Sequence, residues 1–222
     1  MIDYELGGDG VAVIAWNMTE RSMNVLNAES VARFAELVEQ AIRDAAVKGV
    51  IITSKKRDFL AGSDLTELGR DADAASLMAF TGRFHALTRA MEKSGKPFCA
   101  ALNGTALGGG YEIALACHRR IAAAEPKSRI GLPEVTIGLL PGGGGTQRLP
   151  RLIGIRNALP LLLEGRKLDP EKALAAGLVD EVAPRGELRA RAKAATDSSL
   201  STFIGRSAMF QAMIAMPSEP TS

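Results

Sequence analysis

In the segment Asn103-Gly-Thr-Ala-Leu-Gly-Gly-Gly-Tyr-Glu112, an apolar run ends in three consecutive glycines, and a carboxylate follows Gly109 by three residues. Glycine lets a ligand approach the backbone closely. The first N–H groups of a helix starting there have no internal acceptor, so they offer a site for negative charge. At that spacing Glu112 lies on the same face of the first turn as Gly109 and can reach chemistry held at the glycine amides. The alternative is a tight strand-to-helix turn with a favourable first-turn acid.

Two further segments carry comparable chemistry. In Leu60-Ala-Gly-Ser-Asp-Leu65, Gly62 makes a turn and Asp64 can cap a short helix. The Ser63 N–H there is a second amide which, facing that of Gly109, would complete an oxyanion hole. In Gly131-Leu-Pro-Glu134, a carboxylate sits in a mostly apolar, Gly/Pro-rich stretch. Burial would raise its pKa toward an acid–base range.

Competing motifs fail. No Lys-Ser or Lys-Thr closes a phosphate loop, and Pro141-Gly-Gly-Gly-Gly-Thr-Gln147 lacks the dinucleotide fingerprint's last glycine and preceding strand. Ser63, His85 and Asp64 supply the types of a nucleophilic triad, but no Gly-x-Ser-x-Gly elbow occurs. His85 and His118 read as ordinary helix residues. They have no nearby ligand pattern, so no metal site is expected.

The elements that must position these groups read as alternating strands and helices. Val11–Asn17, Gly49–Ser54, Pro97–Leu102, Arg120–Ala124 and Leu178–Ala183 read as strands. Asn27 caps a helix from Ala28 to Asp44, with Val31, Phe34, Val38 and Ile42 on one face. A second helix runs from Ala74 to Lys93, with Leu77, Phe80, Phe84, Leu87 and Met91 as its buried stripe. Tyr111–His118 reads as a third, and the stretch from Arg129 to Gly145 as irregular. Helix resumes at Thr146 past Leu163, again from Asp169 or Pro170 to Gly177, and from Gly186 to Met216. Strands separated by long helices imply crossover connections and an α/β fold. The division expected is a core over residues 1–185 and a helical C-terminal region and tail over 186–222.

Composition excludes several classes. The 222 residues are 46% hydrophobic and 23% charged, ordinary for one globular domain. No apolar run reaches membrane-spanning length, and MIDYELGGDG lacks the basic start and apolar core of a secretory signal. With 27 basic and 25 acidic residues the net charge is +2, and no large basic cluster marks a nucleic-acid surface. Cys99 and Cys117 lie in apolar segments, which favours reduced thiols and a cytoplasmic setting.

Five patterns in order resemble the crotonase (enoyl-CoA hydratase/isomerase) superfamily: Arg21-Ser-Met-Asn-Val-Leu-Asn27, Asp58-Phe-Leu-Ala-Gly-Ser-Asp-Leu65, the Asn103–Glu112 segment, Gly131–Glu134, and Pro141-Gly-Gly-Gly-Gly-Thr-Gln-Arg-Leu149. The resemblance covers roughly residues 8 to 195. It is closest to the N-terminal hydratase part of multifunctional fatty-acid oxidation proteins, which continue into a dehydrogenase absent from these 222 residues.

The resemblance implies a crotonase-like spiral of ββα units with a short helical C-terminal region. It implies acyl-CoA thioester substrates, no metal or redox cofactor, and a homotrimer or hexamer. By motif position, Ser63 and Gly109 would donate backbone N–H groups to the thioester oxygen, and Glu112 and Glu134 would be the acid–base pair. Met23, Val25, Ala61, Gly62, Leu65, Gly110, Pro133 and Gly142 would line the substrate and CoA site, with Arg21, Lys55, Lys56 and Arg57 near the CoA phosphates. Many relatives carry Ala where Ser63 stands; the backbone donor survives that change. Isomerisation shuttles one proton and needs one carboxylate, so two carboxylates favour an enoyl-CoA hydratase of fatty-acid β-oxidation. A 3,2-enoyl-CoA isomerase, a thioester hydrolase and a non-catalytic acyl-CoA-binding subunit are the alternatives. Phe203, Met209, Phe210, Met213 and Met216 carry an apolar face that self-association would cover.

Overall fold

The computed structural model describes residues 1–64 and 73–197. A six-stranded sheet has the order β1 (Ile2–Leu6), β2 (Val11–Trp16), β3 (Gly49–Ser54), β4 (Phe98–Leu102), β6 (Arg119–Ala123) and β9 (Glu181–Ala183). β1 is antiparallel to β2, and the remaining neighbours are parallel. A small sheet orders β5 (Ala106–Leu107), β7 (Ile130–Gly131) and β8 (Lys167–Leu168). The chain alternates between the two. β4 leads through β5 into α3 (Gly109–Ala116), β6 leads into β7, and β8 leads through α6 (Pro170–Ala175) back to β9. From β4 onward the chain adds strands to both sheets in this way, as expected of a ββα spiral.

The inner strands of the large sheet are buried on both faces, so β2, β3 and β4 are nearly continuous apolar runs. Ile14, Trp16, Val50, Ile52, Phe98 and Leu102 face α1 (Ala28–Arg43), α2 (Ala74–Lys93) and α3. Val13, Ile51, Cys99, Ala101 and Ile121 face the other way, with Leu188 and Ala192 of α7 (Leu188–Asp197). α1 starts at a capping box: Asn27 Oδ1 accepts from the Ser30 N–H at 2.8 Å, and Ser30 Oγ accepts from the Asn27 N–H at 2.9 Å.

Several expectations are corrected. β1 is an additional edge strand: Ile2, Tyr4 and Leu6 alternate with Asp3 and Glu5, but the run is short and only Ile2 is fully buried. α3 begins at Gly109, earlier than the sequence suggests, and stops at Ala116. Cys117 turns extended (ψ 156°) and Arg119 joins the sheet, so His118 lies between elements, its Nδ1 accepting from the Phe98 N–H. The stretch from Arg129 to Gly145 contains β7 and a 3-10 helix at Glu134–Ile137. The long helix from Thr146 is two, α4 (Gly145–Ile153) and α5 (Ile155–Glu164), broken where Gly154 takes φ 81°. Leu178–Asp180 lies outside the last strand, which is Glu181–Ala183. Of the C-terminal region only α7 and the preceding 3-10 turn at Arg185–Glu187 are described. The stripe from Phe203 to Met216 lies outside the described residues.

Candidate functional site

The ends of β4 and β5 bring the segments that stood out in the sequence to one place. Leu107 pairs with Leu60 (N–H to carbonyl, 3.0 Å), and Leu26 pairs with Gly62 (2.8 Å). The bridge between Leu26 and Ser63 uses the Gly62 carbonyl and the Asp64 N–H, leaving the Ser63 N–H outside the ladder. Gly62 has φ 104°, and a Cβ there would stand 3.2 Å from the Leu107 carbonyl and 3.7 Å from the Gly109 nitrogen. Glycine at 62 therefore permits the approach of the two turns. Gly108 caps α3 at φ 53°, and Gly109 supplies its first N–H, which has no intrahelical acceptor. Ser63 and Gly109 are thus neighbours at the wall of one cavity.

That cavity has a volume of about 410 Å³ and is lined mainly by apolar groups. Of the residues anticipated, Ala61, Gly62, Ser63, Gly109, Glu112, Pro133, Glu134 and Gly142 line it. Met23 and Val25 do not; they lie on the connection between β2 and α1. Gly110 does not line it either; it sits inside α3, where a Cβ would stand 2.7 Å from the Leu60 carbonyl oxygen, so glycine there permits close packing. Leu65 lies outside the described residues.

Glu112 is 3% exposed. Burial raises its pKa, opposed by N–H groups from Gly145 and Gly143 and by the Arg148 guanidinium. Gly145 donates to Oε1 at 2.7 Å. Glu134 begins the 3-10 helix on the facing wall. Burial pushes its pKa up to about 7, and the nearby Glu112 charge adds to the rise. Its Oε2 is buried with no hydrogen-bond partner among the described residues, and Oε1 lies against the Gly108 backbone. Two carboxyl groups therefore share an apolar cavity, one held by backbone amides and one poised to exchange a proton near neutrality.

Other wall residues escaped the sequence. Leu77, Phe80 and Thr81 of α2 line the cavity with Ile137, Leu139 and Leu140. Leu77 and Phe80 read as core from their helical spacing, but they are only half-buried. Leu140 is 76% exposed at the rim. Spacing identified the apolar face of α2 but not which half meets the core.

The candidate phosphate contacts are mostly engaged within the chain. Arg21 pairs with Asp64 at 2.7 Å and Lys55 with Asp3 at 2.8 Å. The Lys56 ammonium turns in to the carbonyls of Met18 and Arg21. Arg57 is exposed. His85 Nε2 is bonded to the Gly142 carbonyl rather than to a serine, so the triad geometry does not form. Cys99 and Cys117 are free and buried, and burial pushes the Cys99 thiol up to about 12. Among the described residues no group of three or more His, Cys, Asp or Glu is placed to hold a metal ion, and no helix is long and apolar enough to cross a membrane.

Comparison with known proteins agrees with this fold. The structure superposes on an enoyl-CoA hydratase from Thermoplasma volcanium with a TM-score of 0.86 at 30% identity, covering 97% of this chain and 85% of that one. For an enoyl-CoA hydratase from Bacillus anthracis the TM-score is 0.85 at 31% identity, covering 97% and 84%. The fatty acid oxidation complex subunit alpha of Shewanella oneidensis is 41% identical over 178 residues, which are 80% of this chain and 25% of that protein. Its counterpart in Shewanella loihica is 44% identical over 181 residues, 81% and 26%. The chain thus spans about a quarter of the length of these curated relatives. The model of the enoyl-CoA hydratase/isomerase family matches residues 7–221, further toward the C-terminus than the five motifs reach. The shared order of motifs, the spiral and this match over nearly the whole sequence establish that the chain belongs to the enoyl-CoA hydratase/isomerase family.

Proposed function

We propose that the protein adds water across the double bond of a 2-enoyl-CoA thioester, giving the 3-hydroxyacyl-CoA, as a step of fatty-acid oxidation. The observation that carries this reading is the pair Glu112 and Glu134 in one apolar cavity beside the Ser63 and Gly109 amides. The thioester oxygen accepts from both amides and gains negative charge as the enolate forms. Each such donor is worth roughly 3 kcal/mol. The N-terminal field of α3 adds to this.

Glu112, fixed by Gly145, accepts a hydrogen bond from the water. As the water oxygen bonds to C3, its proton passes to Glu112. Glu134, protonated for part of the time near neutrality, delivers a proton to C2 as the enolate collapses. Proton exchange with solvent then restores the two carboxyl groups, and one water has been consumed. No metal or redox group has a role in this scheme. Isomerisation or thioester hydrolysis on the same scaffold uses the same amides, but moving one proton needs only one carboxylate. Two carboxylates in one cavity support hydration, and they are more than a purely binding subunit requires.

In this reading the acyl chain lies between α2 and the 137–140 segment, with CoA toward the surface. Exposed Arg57 is the basic group most available to a CoA phosphate, while Arg21 would share itself with Asp64. Homotrimer formation is part of the proposal, by analogy with the family. The test is to mix purified protein with crotonyl-CoA, without metal or NAD. Loss of the enoyl absorbance is expected, and full retention across several chain lengths would refute hydration.

A further inference from the structure

His85 has no place in the scheme above, yet it reaches the site through a single peptide. It lies on α2, and its Nε2 is 2.6 Å from the Gly142 carbonyl. A carbonyl oxygen only accepts, so Nε2 carries the proton. The oxygen of the Gly142–Gly143 peptide and the N–H of Gly143 point in opposite directions from one plane. The Gly143 N–H faces Glu112, and a Cβ on Gly143 would stand 2.4 Å from Glu112 Oε2. The next carbonyl is also anchored toward α2. Arg148 Nη1 donates to the Gly143 oxygen at 2.9 Å, Nη2 to Thr88 Oγ1 at 3.0 Å, and Nε to Glu92 Oε1 at 2.6 Å.

We propose that His85 is a positioning residue for Glu112: by holding the Gly142 carbonyl toward α2, it orients the Gly143 amide onto the carboxylate. This rests on the reading of Glu112 as one of the reacting pair. The helix that forms the acyl wall and the loop that fixes the carboxylate are thereby tied together. The charged groups around Glu112 are Arg148 of α4 and Glu134 of the 3-10 helix; beyond Arg148, α2 contributes Glu92 and Arg89, with His85 over the loop. His85 is exposed, so its replacement leaves the core intact.

The experiment compares His85→Leu, which has no donor, with His85→Gln, which keeps a side-chain N–H without the imidazole ring. Steady-state hydration is measured first. His85→Leu should lower kcat about tenfold or more with KM within about threefold, and His85→Gln should recover most of the loss. The second readout is the titration of the Glu112 carboxyl by 13C NMR in glutamate-labelled protein, assigned by its disappearance in Glu112→Gln. Losing an N–H donor to the charged form raises the midpoint, so it should rise in His85→Leu and return toward wild type in His85→Gln. A Leu variant with wild-type kcat and midpoint overturns the proposal, as does a Gln variant as impaired as Leu. If the wild type does not hydrate enoyl-CoA, the proposed reaction fails, while the titration still decides the role of His85. Should His85→Leu not fold, His85→Ala replaces it with the same expected and overturning results.

Discussion

The Gly145 amide donates to Glu112 Oε1 at 2.7 Å, across 33 positions of sequence. The glycine-rich segment from Pro141 matches no nucleotide motif, because what its amides hold is a carboxylate of the protein itself. Such a cradle keeps a buried acid ionised further down in pH than burial alone would allow. Glu134 has no comparable support and sits near neutrality.

The first prediction concerns that asymmetry. Glu112→Gln and Glu134→Gln should each reduce kcat by about 10²–10⁴-fold while KM changes by less than about fivefold, because both groups are proposed to act in the transition state. Steady-state kinetics with a 2-enoyl-CoA measures both. A variant within twofold of wild type removes its residue from the scheme.

Stability should depend on pH through Glu134. Its folded pKa of about 7 is raised above the ordinary value of 4.5, so the folded state binds the proton more tightly. Stability is therefore unaffected by this group below about 4.5 and falls as pH rises toward 7. Glu134→Gln removes that penalty. Thermal unfolding should show the variant melting higher than wild type at pH 8 and with a much smaller difference at pH 4.5. An equal difference at both values would mean that the carboxyl is not strained by burial.

Gly143→Ala probes the loop directly. The added Cβ would stand 2.4 Å from Glu112 Oε2 and 2.4 Å from Phe84 Cε1. Either the carboxylate or the ring must move, and a displacement of about 1 Å at the reacting groups can cost about 10²-fold in rate. Activity should fall far more than the melting temperature. Retained activity would show that the loop can yield without disturbing Glu112.

Ser63→Ala separates backbone from side chain. If the amide is the donor, kcat should stay within about threefold, whereas losing an oxyanion donor costs about 10²–10³-fold. A drop on that larger scale would transfer the role to the hydroxyl.

Local pattern determined part of the scaffold. The limits of β3 and α2 follow from an apolar run and a helical stripe, and Asn27 announces the start of α1 by its capping chemistry. Order and residue type in the motifs also pointed to Ser63, Gly109, Glu112 and Glu134, because each motif writes its own turn, amide or carboxylate within a few consecutive residues. What only the tertiary structure decided lies between segments. Nothing near Glu112 in sequence says that Gly145 will hold it, or that His85 will bond the loop at Gly142. The stripe on α2 gives an apolar face, yet whether Leu77 and Phe80 meet the core or a cavity depends on what packs opposite. The close packing of Gly110 against Leu60 is invisible in the sequence, and Arg21, Lys55 and Lys56 look free until Asp64, Asp3 and two carbonyls meet them. Periodicity and capping are properties of a few consecutive residues, whereas these contacts arise when the crossovers of the spiral bring distant turns to the same strand ends.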